Sequence, residues 1–167
     1  IKGGHESMER NLCKEMALRG VDTNRLVFAK HTALMQDHLA RYRLADLFLD
    51  TFPFCAQTTA SDALWAGVPV LTRVGESSMS RICAGLLNAI ELPELITKTQ
   101  AEYEARAIEL ATNPVKLNAI KDKLARNRLT TALFDTPSYT KNIEAAYTKM
   151  YEHYLADIPP DHIYIED

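Results

Sequence analysis

Apolar residues follow two alternating rhythms along this chain, and their order predicts its elements. Over residues 7–18, Met8, Leu12 and Met16 recur four apart with charged side chains between them. That spacing places one apolar stripe on a helix, and Gly20 is positioned to end it. Leu26-Val27-Phe28 is a short unbroken apolar run, which predicts a buried strand over residues 25–29. A loop over 30–34 leads to a helix over 36–44, where His38 and Arg41 lie three apart on one face. Leu47-Phe48-Leu49 predicts the next strand, over 46–50. A loop broken by Pro53 precedes a short helix that starts at Thr58-Thr59 and stops near Gly67. Pro69 keeps that helix from continuing, and residues 69–72 form another strand.

The second half continues in the same way. A glycine turn over 73–78 enters a helix over 78–88, where Ala84 and Gly85 suggest close packing on a sheet. Residues 92–96 are a brief apolar segment that suits a last short strand. Thr99 and Glu102 make a capping box for a helix over 99–112. Pro114 suits the first position of the next helix, over 115–128. Residues 133–136 read as a linker. A final amphipathic helix over 137–156 carries Tyr139, Tyr147, Tyr151 and Tyr154, and an extended tail with Pro159-Pro160 follows. Short strands alternating with helices predict an α/β fold: a doubly wound parallel sheet covered on both faces.

Composition narrows the function classes. The chain has 167 residues, suited to one domain, with 47% hydrophobic and 25% charged residues. Nineteen basic and 22 acidic side chains give a net charge of −3 with no basic run, so nucleic acid is not an expected partner. No apolar run has the length of a membrane span, and the first residues do not read as a signal peptide. Cys13, Cys55 and Cys83 form neither a zinc pattern nor a CxxC motif, a usage that fits a reducing cytoplasm. Cys83 reads as a small core residue, whereas Cys55 falls at a loop tip where solvent could reach it. Ile1-Lys2-Gly3-Gly4 reads as the tail of a strand and a glycine turn, which suggests a piece of a longer protein.

The chemistry centres on residues 50–59. A helix that begins at the carboxyl end of a parallel strand points unpaired N–H groups and partial positive charge into the crevice above the sheet. Thr58 and Thr59 add two hydroxyls there, a setting suited to the diphosphate of a nucleotide. Similar strand-loop-helix units also occur in α/β proteins that bind no phosphate. Asp62, one turn on, suits a ribose diol or the helix dipole equally. His38 could stack on a base and Arg41 could hydrogen-bond one, or both could be surface residues. Trp65 reads as core, Glu76 and His31 as residues near strand ends, and Arg81 as one half of a salt bridge. His5, His153 and His162 have no neighbours that suggest metal or catalysis, and no P-loop or Ser-His-Asp spacing occurs.

The stretch Gln57-Thr58-Thr59-Ala60-Ser61-Asp62-Ala63-Leu64-Trp65-Ala66-Gly67-Val68-Pro69 resembles the donor-binding motif H-T-T-x-x-D-x-L-W-A-G-x-P of O-linked N-acetylglucosamine transferases. The likeness, to a bacterial, SPINDLY-like member, extends back through His38 to Asp46 and Leu49-Asp50-Thr51. It extends forward through Gly75-Glu76, Ser80-Arg81, Tyr103, Leu133-Phe134 and Tyr151 to Tyr154. The family has two Rossmann-like lobes in a GT-B arrangement behind tetratricopeptide repeats, and this chain resembles the second lobe. The resemblance therefore implies a Rossmann-like nucleotide-sugar-binding lobe over 1–133, its first strand truncated, and a C-terminal helix and tail over 134–167.

The implied function is donor binding in a metal-independent glycosyltransferase, which needs no cofactor. The parent moves a sugar, N-acetylglucosamine by resemblance, from UDP to Ser or Thr hydroxyls of a protein acceptor. In this likeness Ala33 lines the base by its backbone, His38 stacks near uracil and Arg41 helps hold it. Thr58 and Thr59 bind the diphosphate beside Gln57, and Asp62 binds the ribose; no residue here receives a catalytic role. The implied partners are the UDP-sugar, the acceptor, and the parent's first lobe and repeats, without which the chain should be inactive. Two positions depart from the pattern. Gln57 stands where the motif has His, so it can donate a hydrogen bond but carries no charge. The family's lysine before His38 has no clear counterpart: Leu34 or Met35 falls there, and Lys30 could substitute only if the loop folds back. These departures leave a second reading: a nucleotide-binding or protein-interaction module that has lost donor binding.

Overall fold

The structure, a computed structural model, describes residues 6–165. The expected strand tail and glycine turn at residues 1–4 lie outside the described residues. The chain divides into two compact units, Ile1–Arg41 and Tyr42–Asp167.

In the first unit, helix α1 spans Glu6–Leu18. It closes in a Schellman arrangement: Gly20 adopts φ 71°, its N–H reaches Ala17 O, and Val21 N reaches Met16 O at 3.0 Å. The expected strand over 25–29 does not form. Thr23–Arg25 is a 3-10 turn, Leu26 to Phe28 is extended without a ladder, and Ala29 makes a single bridge. The Asp22 side chain accepts the Asn24 N–H and commits this segment to a turn. Val27 is 81% exposed, so the apolar run lacks the burial on both faces that a central strand requires. Helix α2 then covers Met35–Tyr42. None of the described residues of this unit is buried.

The second unit carries a three-stranded parallel sheet in the order β1-β2-β3, with β1 at Phe48–Leu49, β2 at Val70–Arg73 and β3 at Ile96–Thr97. Phe48 pairs with Val70 and Thr72 with Ile96. Parallel neighbours need crossovers, and helices supply them. Helix α3 (Thr58–Trp65) joins β1 to β2, and α4 (Ile82–Ala89) joins β2 to β3. Helices α5 (Gln100–Thr112), α6 (Pro114–Asn127) and α7 (Thr136–Leu155) follow. The middle strand is the most buried, with Val70, Leu71 and Thr72 at 1% exposure or less. Around it Leu64, Leu87, Ile90, Leu92, Leu95, Leu110 and Leu124 complete a core that lies wholly within this unit.

Several expectations change in this packing. Trp65 is not core: it is 47% exposed and meets Phe134 edge-on at 5.1 Å. The inward face of α3 is already filled by Ala60, Ala63 and Leu64, and the next position rotates outward. Arg128 caps the end of α3 by donating to Trp65 O at 2.6 Å. Ala84 packs inward, but Gly85 faces open space with no atom near its missing side chain. Cys55 is not accessible; it is 1% exposed and bonds the 3-10 turn Ser78–Ser80 at Met79 O. The α5 capping box is present in both directions. Helix α7 is capped by Asp135, has no buried residue, and leaves its tyrosines exposed. No helix among the described residues is long and apolar enough to cross a membrane.

Candidate functional site

Strand β1 ends at Asp50, where the loop to α3 begins. Asp50 is 7% exposed, and its backbone N–H continues the ladder to Leu71 O. Its Oδ1 accepts both the Thr51 N–H at 2.8 Å and the Ala56 N–H at 2.7 Å. Its Oδ2 accepts the Thr72 hydroxyl at 2.6 Å, and its carbonyl accepts the Tyr103 hydroxyl at 2.8 Å. Burial, and then the Asp50 charge, push the Tyr103 phenol up to about 12. The same two causes, in the same order, raise the Cys83 thiol well above its ordinary range, so it is not an activated nucleophile.

The other side of the loop is held by the segment after β2. Cys55 N donates to Met79 O, and Gln57 Nε2 reaches Met79 Sδ at 3.4 Å. The Phe52-Pro53 peptide is cis, and the Arg73 guanidinium lies 3.5 Å from the centre of the Phe52 ring. At the start of α3, Ala60 and Ser61 both donate to Gln57 O at 3.0 Å. Gln57 stands at the N-cap and makes no side-chain cap. Thr58 and Thr59 are exposed, and neither backbone N–H has an acceptor among the described residues. Two free amides, two hydroxyls and the positive end of a helix dipole therefore share one spot at the carboxyl end of a parallel strand. Asp62 lies three and four residues on, along the same helix face. The structure thus brings Gln57, Thr58, Thr59 and Asp62 together on α3.

Ala33, His38 and Arg41 belong to the first unit. Arg41 Nη1 donates to Lys30 O at 2.6 Å and Nη2 to His38 Nδ1 at 3.1 Å. Arginine can only donate, so Nδ1 accepts and the ring proton sits on Nε2. This strap ties the loop that carries Ala33 to α2. Glu76, Arg81 and His31 are exposed, and Arg81 makes no ion pair among the described residues. His5 lies outside the described residues. No group of three His, Cys, Asp or Glu among the described residues is placed to hold a metal.

Elsewhere a groove of about 450 Å³ is lined by Glu94, Thr97, Glu102, Arg106 and Glu109. Its carboxylates are already occupied. Glu94 pairs with Lys123 at 2.9 Å, Glu102 closes the α5 capping box, and Glu109 pairs with Arg106 and Lys116. The Lys116 hydrogen bond is the main cause that lowers the Glu109 carboxyl. The residues that spacing did not reveal are Asp50, Thr72 and Tyr103. Asp50 closes a predicted strand, and Asp50 and Tyr103 both fall within the family likeness, but neither signal gave them a role.

Comparison with known proteins shows the family of the chain. Residues 5–143 match the family described as Glycosyl transferase family 41. The chain belongs to glycosyl transferase family 41. Over 156 residues it is 36% identical to the UDP-N-acetylglucosamine–peptide N-acetylglucosaminyltransferase of Caenorhabditis elegans, covering 93% of this chain and 13% of that protein. A solved structure of a mutant O-GlcNAc transferase from Thermobaculum terrenum superposes with a TM-score of 0.80 at 33% identity, covering 88% of this chain and 28% of that one. The family 41 chain thus spans a small fraction of each relative's length. Its parallel α/β architecture is that of the Rossmann-like lobe of a GT-B glycosyltransferase.

Proposed function

We propose that this family 41 chain is the donor-binding lobe of a glycosyltransferase that moves N-acetylglucosamine from UDP to Ser or Thr hydroxyls of a protein. The observation that carries this reading is the pair of unsatisfied Thr58 and Thr59 amides at the carboxyl end of β1, within the stretch matched to the family. An anion held there meets donors and the helix dipole without displacing a protein acceptor. Thr58 and Thr59 take the diphosphate, and Asp62 takes the ribose hydroxyls as a carboxylate acceptor. Gln57 offers one uncharged donor at the edge of the site. In the first unit, Ala33, His38 and Arg41 serve the base by family likeness.

Transfer would draw on electrostatic support of the departing UDP by these donors. No metal enters this reading, and the setting is cytoplasmic. The matched relatives are several times longer than this chain. Turnover is accordingly expected to require the remainder of the enzyme, with a protein acceptor as the second substrate.

Calorimetric titration with UDP tests the site. UDP binding that weakens about tenfold in Asp62→Ala and in Thr59→Ala supports it, since each change removes at least one polar or charge-assisted contact. No heat with UDP or any other nucleotide would instead favour a module that has lost donor binding. Heat with a different nucleotide would keep the site and reassign the donor.

A further inference from the structure

We propose that Asp50 is the positioning residue of this donor site, acting through the 51–56 loop to set where the Thr58 and Thr59 amides stand. The inference rests on the donor-site reading above. One buried carboxylate oxygen accepts the N–H groups at both ends of the loop, Thr51 at 2.8 Å and Ala56 at 2.7 Å. The loop therefore closes on a single atom. The other oxygen is fixed to β2 by the Thr72 hydroxyl at 2.6 Å, and Thr72 is itself held where Thr97 donates to its carbonyl at 2.9 Å. Only Gln57 separates Ala56 from Thr58, so a displacement at Ala56 passes directly into the first turn of α3.

The chemistry of the hub asks for an acceptor on every side. Three donors converge on the carboxylate, and it has no ion pair among the described residues. Alanine would leave two amides and a hydroxyl without their acceptor in a site nearly closed to water. Asparagine has one satisfied orientation. Its oxygen keeps both loop amides, while its Nδ2 donates to a Thr72 hydroxyl turned to accept. Asp50 touches no ligand in this scheme, and its effect reaches only the groups that hold the diphosphate. Its loss should therefore lower affinity for UDP and leave affinity for uridine unchanged.

The test is calorimetry with UDP and with uridine on the chain, on Asp50→Ala, on Asp50→Asn and on Thr72→Val, with amide chemical shifts of Thr58 and Thr59 recorded for each. Asp50→Ala should weaken UDP at least tenfold, and Thr72→Val about threefold to tenfold, the range expected for losing one or several hydrogen bonds. Asp50→Asn should restore UDP binding, and the Thr58 and Thr59 shifts should move in the order Ala, Val, Asn. A folded Asp50→Ala that binds UDP as the parent chain does overturns the proposal. So does a loss of UDP and uridine affinity in equal proportion, the mark of general destabilisation. If Asp50→Ala does not fold, Thr72→Val decides by the same two criteria. Should the parent chain bind no UDP, the donor-site reading fails by itself. The positioning claim is then read from the shifts: unmoved Thr58 and Thr59 amides in the variants overturn it.

Discussion

Gly75 shows how tightly a single residue constrains the packing against the loop after β1. A Cβ at this position would lie 2.5 Å from Ser80 Oγ and 2.9 Å from Phe52 Cε2. The glycine is needed for close approach. Gly75→Ala is expected to cost about 1–3 kcal/mol through overpacking, measured by urea unfolding. Tyr103 gives a pH signature. Its folded-state pKa is raised from 10.0 to about 12 by burial and by the Asp50 charge. The folded state then keeps a proton that the unfolded chain releases. This contribution to stability is fully present below pH 10 and is lost as pH rises toward 12. Denaturation midpoints should fall across that window, and Tyr103→Phe should flatten the slope while costing about 1 kcal/mol at neutral pH for the lost hydrogen bond. Burial of Cys55 and exposure of Trp65 were not legible residue by residue. Both depend on which neighbours already fill the space around them.

Among the elements, those with strong local signals form as their residues predict. Thr99 and Glu102 close their capping box, Asn113 and Pro114 start α6, and Gly20 and Gly67 adopt positive φ where their helices end. These devices need only atoms within one turn, so the sequence carries them complete. Thr99→Ala should cost about 1 kcal/mol, with fraying confined to the first turn of α5 in amide exchange. The apolar run Leu26-Val27-Phe28 behaves otherwise because a strand is completed by its partners. The same limit trimmed β1 to Phe48–Leu49, while most of the segment expected as the last strand, 92–96, became a 3-10 turn at Pro93–Leu95 and β3 formed at Ile96–Thr97. The start of α3 after a strand was legible, and with it the expectation of an anion site. The loop that aims it was not, since Asp50 meets Thr72 across 22 positions of sequence and Tyr103 across 53.

At the scale of the whole molecule, stability is unevenly shared between the two units. Every residue of the buried hydrophobic cluster lies in the second unit, and none of residues 6–41 is buried. A fragment covering residues 42–167 should retain a single cooperative thermal transition. Its midpoint should stay within a few degrees of that of the full chain, as calorimetry would show; loss of cooperativity would assign the first unit a share of the core. The sequence by itself determined the α/β alternation, the helix caps, the start of α3 after a strand and the likeness to a glycosyltransferase lobe. All of these are written in contiguous residues or in short periods. Only the tertiary structure decided which apolar runs became strands, which cysteine and which tryptophan were covered, and that one buried carboxylate closes the loop beneath Thr58 and Thr59. Those outcomes depend on burial and on hydrogen bonds between distant segments, which no local spacing encodes.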